Sequence, residues 1–127
     1  MITSDYKTLL NSQPDPHVLK IEMNRPEAAN AFNTQMAHEL TDLFERLSLD
    51  AGDFRVVVLT ATGSKAFCAG GDLKERNGMN DQAWQAQHLV YERMVRAIMG
   101  CPVPIIAAVN GAAYGGGCEL AACADFV

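Results

Sequence analysis

Asn110-Gly111-Ala112-Ala113-Tyr114-Gly115-Gly116-Gly117-Cys118-Glu119-Leu120 is a glycine-rich run that passes without a break into a helix-like segment, Cys118 to Ala124. Glycine has no Cβ, so the backbone can turn sharply there and a ligand can approach the main chain closely. A helix that starts after such a turn has unpaired N–H groups and the positive end of its dipole facing the loop. That arrangement suits an anion, or an oxygen that becomes anionic during a reaction. Glu119 follows in the first turn and puts a carboxylate close to the same place. Spacing alone leaves two other readings open: a plain turn whose acid only complements the dipole, and a phosphate loop. No Lys-Ser or Lys-Thr follows the glycines and the spacing is not Gly-x-Gly-x-x-Gly, so neither standard phosphate motif is met.

Upstream, Pro104 precedes Ile105-Ile106-Ala107-Ala108-Val109, an apolar run that predicts a buried strand feeding the loop. Before it, Asn80 to Met99 reads as a long helix. Asp81 is its candidate cap, Trp84, Tyr91, Val95 and Ile98 lie on one packing face, and Gly100 and Pro102 end it. A second glycine pair sits in Ala66-Phe67-Cys68-Ala69-Gly70-Gly71-Asp72-Leu73, after the loop Thr62 to Lys65. Leu73 to Arg76 reads as a short helical turn stopped near Gly78. Arg55 to Ala61, with its core Val56-Val57-Val58-Leu59, predicts a strand covered on both faces. Met36, Leu40, Leu43, Phe44 and Leu47 predict an amphipathic helix over about residues 34 to 49, capped by Asn33 or Thr34.

Val18 to Met23 alternates apolar and charged residues as a half-buried strand does, and Asn24-Arg25-Pro26 ends it. Asn11 to Pro16 reads as a turn-rich stretch. Strands therefore alternate with helices, which predicts an α/β layer fold with partly parallel strands. In such folds ligands sit at the carboxyl ends of strands, so the two glycine loops are expected to face one site. Phe126-Val127 opens a further apolar strand, and the expectation is an N-terminal portion of a longer product.

The 127 residues, 49% of them hydrophobic and 20% charged, suit one globular domain with a real core. A net charge of −5 argues against broad electrostatic binding to nucleic acid. Cys68, Cys101, Cys118 and Cys123 form no Cys-x-x-Cys, and their small or apolar neighbours predict buried, reduced thiols and a cytoplasmic location. His38-Glu39 does not continue as His-Glu-x-x-His, so no metal site is expected, and none of the three histidines is given a catalytic role. Met1 to Leu10 has no long apolar region of the signal-peptide kind, and no run reaches the length of a membrane span.

Three blocks together resemble the N-terminal half of the enoyl-CoA hydratase/isomerase superfamily, the crotonase fold. They are Asn24 to Ala31 (Asn-Arg-Pro-Glu-Ala-Ala-Asn-Ala), Ala66 to Glu75 (Ala-Phe-Cys-Ala-Gly-Gly-Asp-Leu-Lys-Glu), and Pro104 to Gly111 running on through Gly115 to Ala121. The resemblance implies a spiral of strand-strand-helix turns over residues 1–127, assembled as homo-trimers or hexamers. It also implies an acyl-CoA thioester as substrate, with coenzyme A entering as part of that substrate and no separate cofactor. Two backbone N–H groups, at Gly71 and Gly116, would hold the thioester oxygen, with Gly71 standing where many members have alanine. Glu119 matches one of the two catalytic glutamates of the hydratases, and the second would lie downstream of residue 127. Ala28 and Ala31 would line the adenine and pantetheine end. Ala69, Asp72 and Leu73 would line the acyl and pantetheine channel, with Gly115 also at the substrate, while Lys74 and Arg76 are candidates to meet phosphates. Trp84 and Tyr91 are expected to pack the helix, and Cys68 to fill the core. Hydratase is the first expectation and an isomerase or other single-acid member the second. The stretch Asp72 to Arg76 resembles the methylglutaconyl-CoA hydratase branch, for which RNA binding is a third, non-catalytic reading beside that of an incomplete subunit.

Overall fold

The computed structural model describes residues 5–127, so the first four positions of the Met1 to Leu10 stretch lie outside the described residues. Strand β1 (Leu9–Asp15) pairs antiparallel with β2 (Val18–Met23). This corrects the reading of Asn11 to Pro16 as turn. Its polar side chains lie at the exposed edge of a hairpin, and backbone pairing rather than side-chain pattern makes the strand, with an irregular register between Ser12 and Asp15. β2 then pairs parallel with β3 (Val56–Ala61), and β3 with β5 (Ile105–Ala107), to give a sheet in the order β1-β2-β3-β5. The register stacks Leu19, Val57 and Ile105 in one buried row and Ile21, Leu59 and Ala107 in the next. These rows form one core with Leu40, Leu43, Phe44 and Leu47 of α1 (Thr34–Leu49) and with Met94 and Ile98 of α3 (Asp81–Met99).

β3 is not equally covered on both faces. Val57 and Leu59 are fully buried while Val56 and Val58 are half-buried, because neighbouring residues of a strand point to opposite faces and the helices pack against only one of them. A second, two-stranded parallel sheet pairs β4 (Ala66–Cys68) with β6 (Ala112–Ala113), and a lone parallel bridge joins Phe32 to Gly71. Each turn of the chain thus adds a strand to the larger sheet, then a short pairing in the smaller one, then a helix: α1, α3, and α4 (Gly116–Ala122). α2 (Leu73–Arg76) is the expected single turn. The expected further strand is represented by Phe126, which bridges Ile106 in parallel and whose carbonyl accepts from the Ala107 N–H at 2.8 Å.

Caps set the helix starts. The Asn33 carboxamide oxygen accepts from the Met36 N–H at 2.8 Å, and that of Asn80 from the Ala83 N–H at 2.8 Å, so Asn80 rather than Asp81 caps α3. α4 starts two residues before the expected Cys118, at Gly116. The thiols also differ from expectation. All four are free, but only Cys68 is fully buried, while Cys118 is exposed because Gly117, Leu120 and Ala121 take the inner face of α4.

Candidate active site

β4 and β6 lie side by side and run the same way, so the loops that leave their carboxyl ends are neighbours. One is Ala69-Gly70-Gly71, the other Tyr114-Gly115-Gly116. Their contact is backbone on backbone: a Cβ on Gly70 would sit 3.1 Å from the Tyr114 oxygen and 3.2 Å from the Gly116 nitrogen, and Gly70 has φ +94°. A Cβ on Gly117 would overlap the Cys68 carbonyl, which itself accepts from the Tyr114 N–H at 3.0 Å. Glycine is therefore required at Gly70 for conformation and at Gly117 for close approach. Gly71 is different. Its φ is ordinary, and an added Cβ would meet only Arg76 and Tyr91 side-chain atoms at 3.6–3.8 Å.

Among the described residues neither the Gly71 nor the Gly116 N–H donates to a protein acceptor, although the residues on either side of both are paired. Phe32 N–H donates to Gly70 O at 2.9 Å, Asp72 N–H to Phe32 O at 3.1 Å, and Gly117 N–H to Tyr114 O at 2.7 Å. Both open donors border a cleft of about 580 Å³. Glu119 lines the same cleft from the first turn of α4, and its exposed carboxylate has no hydrogen bond or ion pair among the described residues. The cleft can thus receive an oxygen between two N–H groups and offer a carboxylate base nearby.

Ala69, Leu73 and Gly115 line this cleft; Ala28, Ala31, Asp72 and Lys74 do not. Ala28 lies in a 3₁₀ turn (Pro26–Ala28) and Ala31 is buried. Asp72 is occupied in holding the loops: one carboxylate oxygen caps α2 at the Lys74 and Glu75 N–H groups, and the other accepts from Arg25 Nη2 at 3.0 Å. Burial works against its charge, but these donors and the Arg25 guanidinium outweigh it and hold the Asp72 carboxyl below the ordinary 3.8. Arg25 also donates from Nη1 to the Ala31 carbonyl at 2.7 Å. The buried Asn30, at φ +53°, accepts from the Arg25 N–H and donates to Thr62 O and Ala66 O, tying the block Asn24 to Ala31 to the strand that leads into the Gly71 loop. Cys68 is a core residue, and its thiol is pushed up by burial, with the Gly70 and Phe32 backbone acting the other way.

Residues that sequence reading did not place at the site include Phe32, Tyr91, His88 and Glu92. Tyr91 shares a helix face with Val95 and Ile98, so its packing pattern hid its position. Arg76 lines the cleft with its guanidinium 5.9 Å from the Trp84 ring, while Lys74 is exposed away from it.

The family profile described as enoyl-CoA hydratase/isomerase matches residues 14–127. The chain belongs to the enoyl-CoA hydratase/isomerase family. The crystal structure of an enoyl-CoA hydratase from Bacillus anthracis is similar to it with a TM-score of 0.90 and 39% identity, over 94% of this chain and 46% of that one. Among curated relatives, (E)-benzylidenesuccinyl-CoA hydratase of Thauera aromatica is 38% identical over 86% of the chain and 42% of its own length. The mitochondrial Delta(3,5)-Delta(2,4)-dienoyl-CoA isomerase of Mus musculus is 33% identical over 95% and 40%. The chain spans less than half the length of these relatives, and the crotonase fold seen in it is their N-terminal part. Members similar to it thus carry both hydratase and isomerase names. Among the described residues no group of three or more His, Cys, Asp or Glu is placed to hold a metal, and no helix is long and apolar enough to cross a membrane.

Proposed function

We propose that the protein hydrates an α,β-unsaturated acyl-CoA thioester, with the Gly71 and Gly116 N–H groups as an oxyanion hole and Glu119 as general base. The observation that carries this reading is the pair of open N–H donors on adjoining loops, with an unpaired carboxylate in the same cleft. Glu119 takes a proton from water as the water oxygen bonds to the β-carbon. The C=C electron pair moves toward the thioester oxygen, which becomes enolate-like, and delivery of the proton held by Glu119 to the α-carbon completes the addition and restores the carboxylate. Two fixed donors stabilise that oxygen more in the transition state than in the ground state. Loss of one such donor typically costs about 3 kcal/mol.

Double-bond migration uses the same enolate and the same donors, and the 33% identity to an isomerase supports it as the second reading. In either case coenzyme A is part of the substrate, and we infer a cytoplasmic homo-trimer or hexamer. The test is Glu119→Gln in the full-length protein with crotonyl-CoA. Turnover is expected to fall at least about tenfold with ligand affinity retained, as for loss of a general base. Unchanged turnover rules out that role for Glu119.

A further inference from the structure

Phe32 touches both loops. Its backbone pairs with the loop of the first donor, through Phe32 N–H to Gly70 O and Asp72 N–H to Phe32 O. Its ring lies against the second: a Cβ on Gly116 would fall 2.5 Å from Phe32 Cζ, so the ring packs directly on the Gly116 α-carbon. Phe32 is in turn gripped from α3 by Tyr91. The Tyr91 hydroxyl donates to the Phe32 carbonyl at 3.1 Å, and the two rings meet edge to face with centroids 4.9 Å apart and an interplanar angle of 88°. The same Tyr91 ring reaches within 3.7 Å of where a Gly71 Cβ would stand.

We propose that Tyr91, acting through Phe32, is the positioning residue that fixes the separation and aim of the Gly71 and Gly116 N–H groups. The inference rests on the oxyanion-hole reading above. An edge-to-face pair with a hydroxyl anchor has one preferred geometry, so a Phe32 held at both carbonyl and ring cannot slide or rotate without breaking a contact. Donors stabilise a developing charge only as well as they are preorganised, so rigidity one shell out is read at the oxygen. Burial, with the Glu75 charge adding to it, pushes the Tyr91 phenol up to about 12, so it remains a proton donor to the Phe32 carbonyl at any working pH.

The experiment uses the full-length protein and its Tyr91→Phe and Tyr91→Leu variants, with the saturated thioester butyryl-CoA as probe. Difference infrared spectroscopy reads the thioester C=O stretch on binding, and crotonyl-CoA kinetics read kcat and KM. Wild type is expected to lower the stretch. Tyr91→Phe, which keeps the ring and loses only the hydroxyl, is expected to lower it less and to reduce kcat about tenfold, a loss characteristic of transition-state stabilisation, with KM changed less. Tyr91→Leu is expected to lose more of both. A residue that only stabilised the fold would move the thermal midpoint and leave the stretch of bound ligand in the remaining folded protein unchanged. An unchanged stretch and kcat in Tyr91→Phe overturn the proposal while leaving the oxyanion reading intact. No lowering of the stretch in wild type overturns both.

Discussion

The glycines of the two loops differ in what they are for, because their neighbours differ. The run Gly115-Gly116-Gly117 marks a turn in the sequence without saying which glycine is indispensable. Gly117 meets the Cys68 carbonyl, whereas Gly71 has open side-chain neighbours at ordinary contact distance. Gly71→Ala is therefore expected to change stability by no more than about 0.5 kcal/mol and to keep the donor N–H in place. Gly117→Ala is expected to cost on the order of 1–3 kcal/mol, as overpacking does. Urea unfolding of the two variants checks this, and equal losses would contradict it. Gly71, Gly116 and Glu119 border one cleft, and glycine pairs and an acid in a first turn leave a local signature in the sequence. Tyr91 left none: its role depends on a contact with Phe32, 59 positions away in the chain.

Among the elements, α1, α3, β2 and β3 were legible because each is long enough for period 3.6, alternation or a continuous apolar run to stand out. β4 and β6, with three and two residues, carry no such period, and their alanines have little strand preference. Yet these two strands bring the donors together. β1 was missed for another reason, because an exposed hairpin edge needs no apolar alternation. The clamp between Arg25 and Asp72 holds the loop ahead of α2, and it carries a pH signature. A carboxyl held below its ordinary value in the folded state stabilises the fold above about pH 4 and loses that contribution as pH falls through the lowered value. Asp72→Asn is therefore expected to be less stable than wild type at neutral pH, with the difference in urea midpoint shrinking as pH drops below about 4. A difference independent of pH would show that the Asp72 charge does not contribute.

At the scale of the molecule, the spiral follows from one repeated event: a strand in the larger sheet, a short pairing in the smaller, then a helix. The repeat cannot be counted from composition, but the parallel register of β2, β3 and β5 makes it visible. Phe126 starts the next addition to the larger sheet beside β5. It is exposed, as are Val127, Ile106 and Val109. Glu119 lines the cleft from α4, and its carboxylate has no hydrogen bond or ion pair among the described residues. Successive turns of the spiral deliver two main-chain donors to one cleft. The most direct measurement is a crystal structure of the full-length protein with butyryl-CoA bound. The thioester oxygen is expected at hydrogen-bond distance, about 2.7–3.2 Å, from both the Gly71 and the Gly116 nitrogen. An oxygen bound to neither nitrogen, or to only one with the other donor turned away, would contradict it.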